Sequence, residues 1–143
     1  EQTKLIPGTD GQKMSKSKNN VIDIFQNDKK LRKQIMSIKT DSTPLEEPKD
    51  WNSCNCFALY ELLASAVEIA EMKKNYEGGN YGYGHAKQAL FDLICKQFSD
   101  ERERYNHYIA NPEEIVQALA LGAEKANAVA NKVLSRVREK LGY

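Results

Sequence analysis

The chain has 143 residues, 41% of them hydrophobic and 29% charged, with a formal net charge of +1. That length suffices for one compact core, and the lack of any long apolar run excludes a membrane-spanning class. The near-neutral total hides an uneven distribution: residues 1 to 40 carry nine Lys/Arg against four Asp/Glu, residues 41 to 80 three against eight, and the remainder nine against eight. A basic first stretch of this kind is suited to meeting phosphate groups.

Three cysteines, Cys54, Cys56 and Cys95, make an odd set whose one close pair is C-x-C. This is neither a disulfide framework nor zinc-ligand spacing, so buried thiols in a reducing compartment are expected, and no metal site. The sequence opens on Glu1 rather than Met and shows no signal peptide. A cytoplasmic protein, and a piece of a longer one, is the expectation.

In chain order, residues 3 to 26 read as a short extended piece, a loop, and then Val21-Ile22-Asp23-Ile24-Phe25, whose apolar alternation can anchor the loop's far end on a core. Asn27 or Asp28 can cap a helix running to about Ile38, with Leu31, Ile35 and Ile38 on one face. Lys29, Lys30, Arg32 and Lys33 crowd the first turns of that helix. The macrodipole prefers acids there, so the placement points to something anionic nearby or to a solvated basic face.

The prolines at 44 and 48 mark Thr40 to Asp50 as a loop, after which Asn52 or Ser53 can cap a helix carrying Phe57, Leu59, Leu62 and Leu63. Ser65-x-x-Glu68 has capping-box spacing and predicts a fresh helix bearing Val67, Ile69, Ala70 and Met72. Gly78, Gly79, Gly82 and Gly84, interleaved with Tyr76, Tyr81 and Tyr83, then break the chain. A helix over about His85 to Ile109 would align Ala86, Leu90, Leu93, Ile94, Phe98, Tyr105 and Ile109. Asn111-Pro112-Glu113-Glu114 is a restart, and a last helix over about Ala123 to Leu141 would turn Ala126, Val129, Val133, Leu134, Val137 and Leu141 inward before Gly142 ends it. The sum is a mainly α fold, a bundle of five or six helices behind an extended segment and a basic loop.

The loop carries the chemistry. Residues 10 to 17 read Asp-Gly-Gln-Lys-Met-Ser-Lys-Ser, and Lys13, Met14, Ser15, Lys16 and Ser17 bring two ammonium groups and two hydroxyls together within five residues. Two ammonium groups offer six N–H donors and two full charges to phosphate oxygens, the equipment for holding a polyphosphate. A Lys/Ser-rich stretch of this length is also what a solvated surface loop contains.

The run resembles the KMSKS signature of class I aminoacyl-tRNA synthetases, and its flanks, Pro7-Gly8-Thr9-Asp10-Gly11 and Asn19-Asn20, resemble the tryptophanyl-tRNA synthetases more narrowly. Tyr76 to Phe91, Glu103-Arg104-Tyr105 and Gly122-Ala123-Glu124-Lys125-Ala126 are similar to later stretches of that family, in the same order. Lys18 departs from it, standing where many relatives have an aromatic or acidic residue. The other class I element, His-x-Gly-His or His-x-Gly-Asn, is absent: His85 is followed by Ala86-Lys87 and His107 by Tyr108-Ile109. The resemblance therefore implies a C-terminal segment, with residues 1–26 the edge of a catalytic domain and 27–143 a helical, tRNA anticodon-binding domain, inactive without the missing nucleotide-binding fold. Some tryptophanyl-tRNA synthetases hold an iron–sulfur cluster with four cysteines, a set that this chain cannot supply.

For the whole protein the resemblance implies ATP, with Mg2+, as substrate, tryptophan bound outside this segment, tRNA(Trp) as partner and a homodimer with no membrane. Lys13 and Lys16 would stabilise the β- and γ-phosphates, with Ser15 and Ser17 positioning them and Met14 seating the loop on apolar surface. For RNA the candidates are Tyr81 and Tyr83, by stacking, and Lys125, Lys132 and Arg136, one face of the last helix; turn packing and a solvated stripe are the respective structural alternatives. Alternatives of other kinds are a tyrosyl-tRNA synthetase segment, a free-standing RNA-binding helical module, or an inert helical domain.

Overall fold

The computed structural model describes residues 5–143, which form two compact units, one ending at Arg102 and the other Glu103–Tyr143. Among the described residues there are six α-helices and no sheet, the only β-type pairing being an antiparallel bridge between Pro7 and Lys13. The mainly α expectation holds.

In the first unit, α1 (Asp28–Met36) starts as expected at Asn27, whose side chain accepts from the Lys30 N–H. Leu31, Ile35 and Ile38 are buried on one side. The next helix, α2 (Asn55–Glu61), starts later than its capping residues suggest, with Cys54 at the cap position. Asp50 is the reason: its carboxylate takes the Asn52 N–H at 3.0 Å and the Ser53 hydroxyl at 2.7 Å, so both residues are held in a turn rather than at a helix end. The helix also ends at Glu61, and Leu62 lies exposed.

The capping box forms. The Ser65 N–H donates to Glu68, the Glu68 N–H to Ser65, and α3 (Ala66–Gly78) starts there. Its buried residues are Met72 and Tyr76, one turn apart, whereas Val67 and Ala70, expected inside, face solvent. Gly78 and Gly84 are both helical, so the break narrows to Gly79–Gly82. At Gly79 a side chain is excluded twice over, by a φ of +69° and by the Glu46 carbonyl oxygen 2.4 Å from where a Cβ would stand.

The following helix, α4 (Tyr83–Gln97), buries Ala86, Leu90, Leu93 and Ile94 and packs against α1 and α2. It does not run on to Ile109. The chain kinks at Phe98 (φ −109°, ψ 23°) and restarts as α5 (Ser99–Ala110). Ser99, Asp100 and Glu101 are N-terminal helix residues, and Phe98 turns onto the core, which together outweigh the continuous apolar period. Tyr105 and Ile109 are exposed.

Arg102, the last residue of this unit, holds the segment between loop and α1. Its guanidinium donates to the Ile24 carbonyl, to the Gln26 carbonyl at 3.1 Å and to the Asp28 carboxylate. An aromatic cluster fills the centre around the fully buried Tyr76, whose ring lies 5.7 Å from Phe57, 5.9 Å from Tyr81 and 6.2 Å from Tyr83. The Cys54 and Cys56 thiols are buried there and free. Burial, and then the neighbouring Cys54, pushes the Cys56 thiol up to about 12.

In the second unit Asn111 and Pro112 open α6 (Pro112–Leu141) as the sequence suggests, but it is one continuous 30-residue helix with Gly122 inside it, where a separate last helix from about Ala123 was expected. The His107 ring nitrogen Nε2 lies 3.0 Å from the Glu114 carboxylate, and the Asn111 side chain donates to the His107 carbonyl, closing the joint between α5 and α6. The expected inward row of Ala126, Val129, Val133, Leu134, Val137 and Leu141 is instead exposed along its whole length. Periodicity marks a face that can be covered, and nothing among the described residues covers this one. No helix among them is long and apolar enough to cross a membrane.

Lys49, only 4% exposed, was not legible as a core residue. Its ammonium donates to the carbonyls of Pro44, Glu47 and Leu45 at 2.8, 3.1 and 3.3 Å and so folds the 44–49 loop around itself. Lys49→Met keeps most of the volume but leaves these carbonyls without their charged donor; it should lower unfolding free energy by about 2 kcal/mol in urea titration. An unchanged midpoint would show that the staple contributes nothing.

Candidate functional site

The signature loop is a short hairpin followed by a single 3-10 turn. Met14 N–H donates to the Ile6 carbonyl at 2.9 Å and Gly8 N–H to the Gln12 carbonyl at 2.7 Å, with Gly11 N–H returning to the Gly8 carbonyl. Ser15 is extended, Lys16–Lys18 make the 3-10 turn, and Asn19 ends it in the left-handed region at φ 52°. Asn tolerates that conformation better than most residues with a Cβ.

Asn20 fastens this arrangement from inside. It is 2% exposed, and every polar atom of its side chain is used: Oδ1 accepts from the Ser15 N–H at 2.8 Å, and Nδ2 donates to the Asp10 carboxylate at 2.7 Å and to the Lys13 carbonyl at 3.1 Å. Reversing the amide would set donors against an N–H and an acceptor against a carboxylate, so the network fixes its orientation. The Asn20 carbonyl accepts from Thr9 as well. Gly8 makes room for this, since a Cβ there would lie 2.4 Å from the Asn20 side chain. Asn55, on α2, donates to the Gly8 carbonyl at 2.8 Å and ties the hairpin to the helices.

Against this frame the three loop lysines differ. Lys18 donates to the Gln12 side chain at 2.7 Å. Lys13 and Lys16 are exposed, and neither ammonium meets a carboxylate or any other partner among the described residues. The Ser15 and Ser17 hydroxyls lie 2.7 Å apart and bond each other. Met14 points to an apolar cleft of about 410 Å3 that it lines with Ile6, Ile22, Leu59, Leu90 and Phe98. What the loop can do chemically is electrostatic. It carries two cations that are unneutralised among the described residues, in one run with two hydroxyls, and keeps Asp10 occupied by Asn20 and the Gln12 N–H. No cluster of three or more His, Cys, Asp or Glu able to hold a metal occurs among the described residues.

The RNA candidates lie elsewhere. Tyr81 and Tyr83 are half-buried in the aromatic cluster, with the Tyr81 hydroxyl on Met72 Sδ at 3.3 Å and the Tyr83 hydroxyl donating to Asp41 at 2.6 Å. Burial pushes the Tyr81 phenol up to about 12. Burial and the Asp41 carboxylate raise Tyr83 as well. Lys125, Lys132 and Arg136 are exposed on α6. Sequence reasoning missed Asn20, Arg102 and Lys49 as organisers; only the paired flanking residues Gly8 and Asn20 carried a signal, as parts of the loop's borders.

The Asn20 network holds the Asp10 carboxyl below its usual 3.8, chiefly through the side-chain hydrogen bond and against the effect of burial. A group with a lowered folded value contributes fully above its unfolded pKa and loses that contribution as pH falls through the folded one. Protection of the Ser15 amide from hydrogen exchange should therefore persist at about pH 5 and fade only below the ordinary carboxylate range, with Asp10→Asn removing that acid dependence. Asn20→Ala should weaken the same protection by about 2 kcal/mol at neutral pH, because it orphans the Ser15 N–H. Full protection in the variant would refute the role given to Asn20.

The family model described as tRNA synthetases class I (W and Y) matches residues 2–99. The tryptophan–tRNA ligase of Campylobacter jejuni strain RM1221 is 43% identical over 142 residues, covering 99% of this chain and 44% of that protein. That of Fusobacterium nucleatum is 41% identical over 142 residues, covering 43% of its own length. A crystal structure of the tryptophanyl-tRNA synthetase from Campylobacter jejuni complexed with ADP and tryptophan superposes with a TM-score of 0.94 at 43% identity, over 100% of this chain and 45% of that one. The chain thus spans less than half the length of these relatives, and they are tryptophan ligases rather than tyrosine ones. With a signature loop in place and a family match across most of its length, the chain belongs to the class I tRNA synthetases of the tryptophan and tyrosine group.

Proposed function

We propose that the chain is the C-terminal part of a tryptophan–tRNA ligase, an aminoacyl-tRNA synthetase that activates tryptophan with ATP and transfers it to tRNA(Trp). In this reading residues 1–26 are the edge of the catalytic domain and residues 27–143 the helical domain that meets tRNA. The rest of the protein supplies the nucleotide-binding fold and the tryptophan pocket, and these 143 residues alone are inactive. ATP enters as substrate with its Mg2+.

The observation that carries the proposal is the pair of exposed ammonium groups of Lys13 and Lys16, without a partner among the described residues, on a loop otherwise tied down by hydrogen bonds. In adenylate formation the tryptophan carboxylate attacks the α-phosphorus, the bond to the bridging oxygen breaks, and pyrophosphate leaves with added negative charge. Lys13 and Lys16 neutralise that charge on the β- and γ-phosphates, and a frame already in place spares the reaction the cost of arranging them. The Ser15 and Ser17 hydroxyls exchange their mutual bond for phosphate oxygens. Met14 sits in the apolar cleft and seats the loop while the cations act.

On the RNA side, the exposed Lys125, Lys132 and Arg136 meet backbone phosphates. Tyr81 and Tyr83 meet RNA only through their outer edges, since their rings and hydroxyls serve the core.

In the complete protein, Lys16→Ala should slow tryptophan-dependent pyrophosphate exchange by about 30- to 1,000-fold, corresponding to roughly 2 to 4 kcal/mol of lost charge stabilisation, and leave tryptophan affinity unchanged. Exchange at the rate of the unmodified protein would reject the assignment.

A further inference from the structure

A second cleft, of about 430 Å3, lies between the base of the loop and α1. Thr9 and Asn19 form its loop side, and Lys30, Lys33, Gln34 and Ser37 its helix side. Lys30, Lys33 and Ser37 recur at helical spacing and so stand on one face of α1 and just beyond its end. None of the residues lining the cleft is acidic. Lys30 and Lys33 are exposed, and neither ammonium has a partner among the described residues. Other cations nearby are used differently: Arg32 donates to the Gln88 side chain at 3.0 Å, and Lys87 to the Met36 carbonyl at 3.1 Å. The positive charge of Lys30, in the first turn of α1, works against the helix dipole, a placement that an anion in the cleft would offset, whereas Lys33 falls in the last turn.

We infer that this cleft holds the sugar–phosphate backbone of an RNA strand, with Lys30 and Lys33 each meeting a phosphate. The inference rests on the tRNA-ligase reading and deepens it by naming a contact outside α6. The donor set supports a phosphodiester chain over a free nucleotide: Lys, Ser, Thr, Asn and Gln are the side chains that position nucleic-acid backbones, and no aromatic ring lines the cleft to stack an adenine. The cleft also shares structure with the signature loop. Thr9 donates to the Asn20 carbonyl and accepts from the Lys39 N–H at 2.8 Å, and Asn19 closes the 3-10 turn, so RNA seated here touches the frame that presents Lys13 and Lys16.

The test compares the complete protein with its K30Q/K33Q variant by fluorescence anisotropy on labelled tRNA(Trp) across a salt series. A K74Q/K96Q variant, whose lysines are exposed on α3 and α4, carries the same loss of charge. K30Q/K33Q should bind tRNA at least about tenfold more weakly at 0.1 M salt, with the slope of log affinity against log salt shallower by about 2, while K74Q/K96Q stays close to the unmodified protein. ATP affinity should be unchanged in both. Circular dichroism and thermal unfolding check that K30Q/K33Q is folded. An unaltered tRNA affinity in K30Q/K33Q, an equal loss in K74Q/K96Q, or a loss confined to ATP would each overturn the inference while leaving the ligase reading standing. Failure of the unmodified protein to bind tRNA at all would overturn both.

Discussion

One buried amide, that of Asn20, decides the shape of the loop on which the proposed chemistry depends. A segment with two exposed lysines and a turn ending in the left-handed region has only a short hairpin and one 3-10 turn to hold it, and its charges favour spreading into water. Asn20 counters this with three side-chain bonds, to Ser15, Asp10 and Lys13, and a fourth through its carbonyl to Thr9. The donors and acceptors match one for one, so the cost of burying the amide is met without an unsatisfied atom.

That frame separates two kinds of lysine within six residues. Lys18 is spent on Gln12 and belongs to the scaffold, whereas Lys13 and Lys16 are left to solvent. Fixing the backbone while leaving the cations unneutralised is what electrostatic stabilisation of a leaving pyrophosphate requires, because donors already in position cost little reorganisation when charge develops. The scaffold extends further than the loop. Asn55 ties Gly8 to α2, and Arg102 ties residues 24 to 28 to the start of α5. Both ends of the basic segment are thereby attached to the same aromatic-centred core.

Local signals were legible where a few neighbouring residues decide the outcome. The Ser65/Glu68 box, the Asn27 cap, the proline-marked start at Pro112 and the Gly142 stop follow from side chains competing for nearby backbone groups, and the KMSKS run was legible as a string. The reading went astray where distant or absent partners decide. Asp50 captured Asn52 and Ser53, displacing the start of α2. Phe98 broke what the apolar period alone would continue. The stripe on α6 is real in the sequence, yet periodicity cannot say whether its cover lies in the same chain, and among the described residues it is bare. Lys49 and Arg102 were invisible because a lysine or arginine is expected outside, and only the carbonyls that surround each of them explain why it is not.

The central claim is that a loop pre-shaped by Asn20 presents Lys13 and Lys16 to a polyphosphate. A crystal structure of the complete protein with a non-hydrolysable ATP analogue and tryptophan tests it most directly. The account predicts both ammonium groups within hydrogen-bond distance of β- or γ-phosphate oxygens, with the Ser15 N–H still on Asn20 Oδ1. A structure in which the phosphates are bound and both lysines point into solvent, or in which the Asn20 bonds are dissolved, would contradict it.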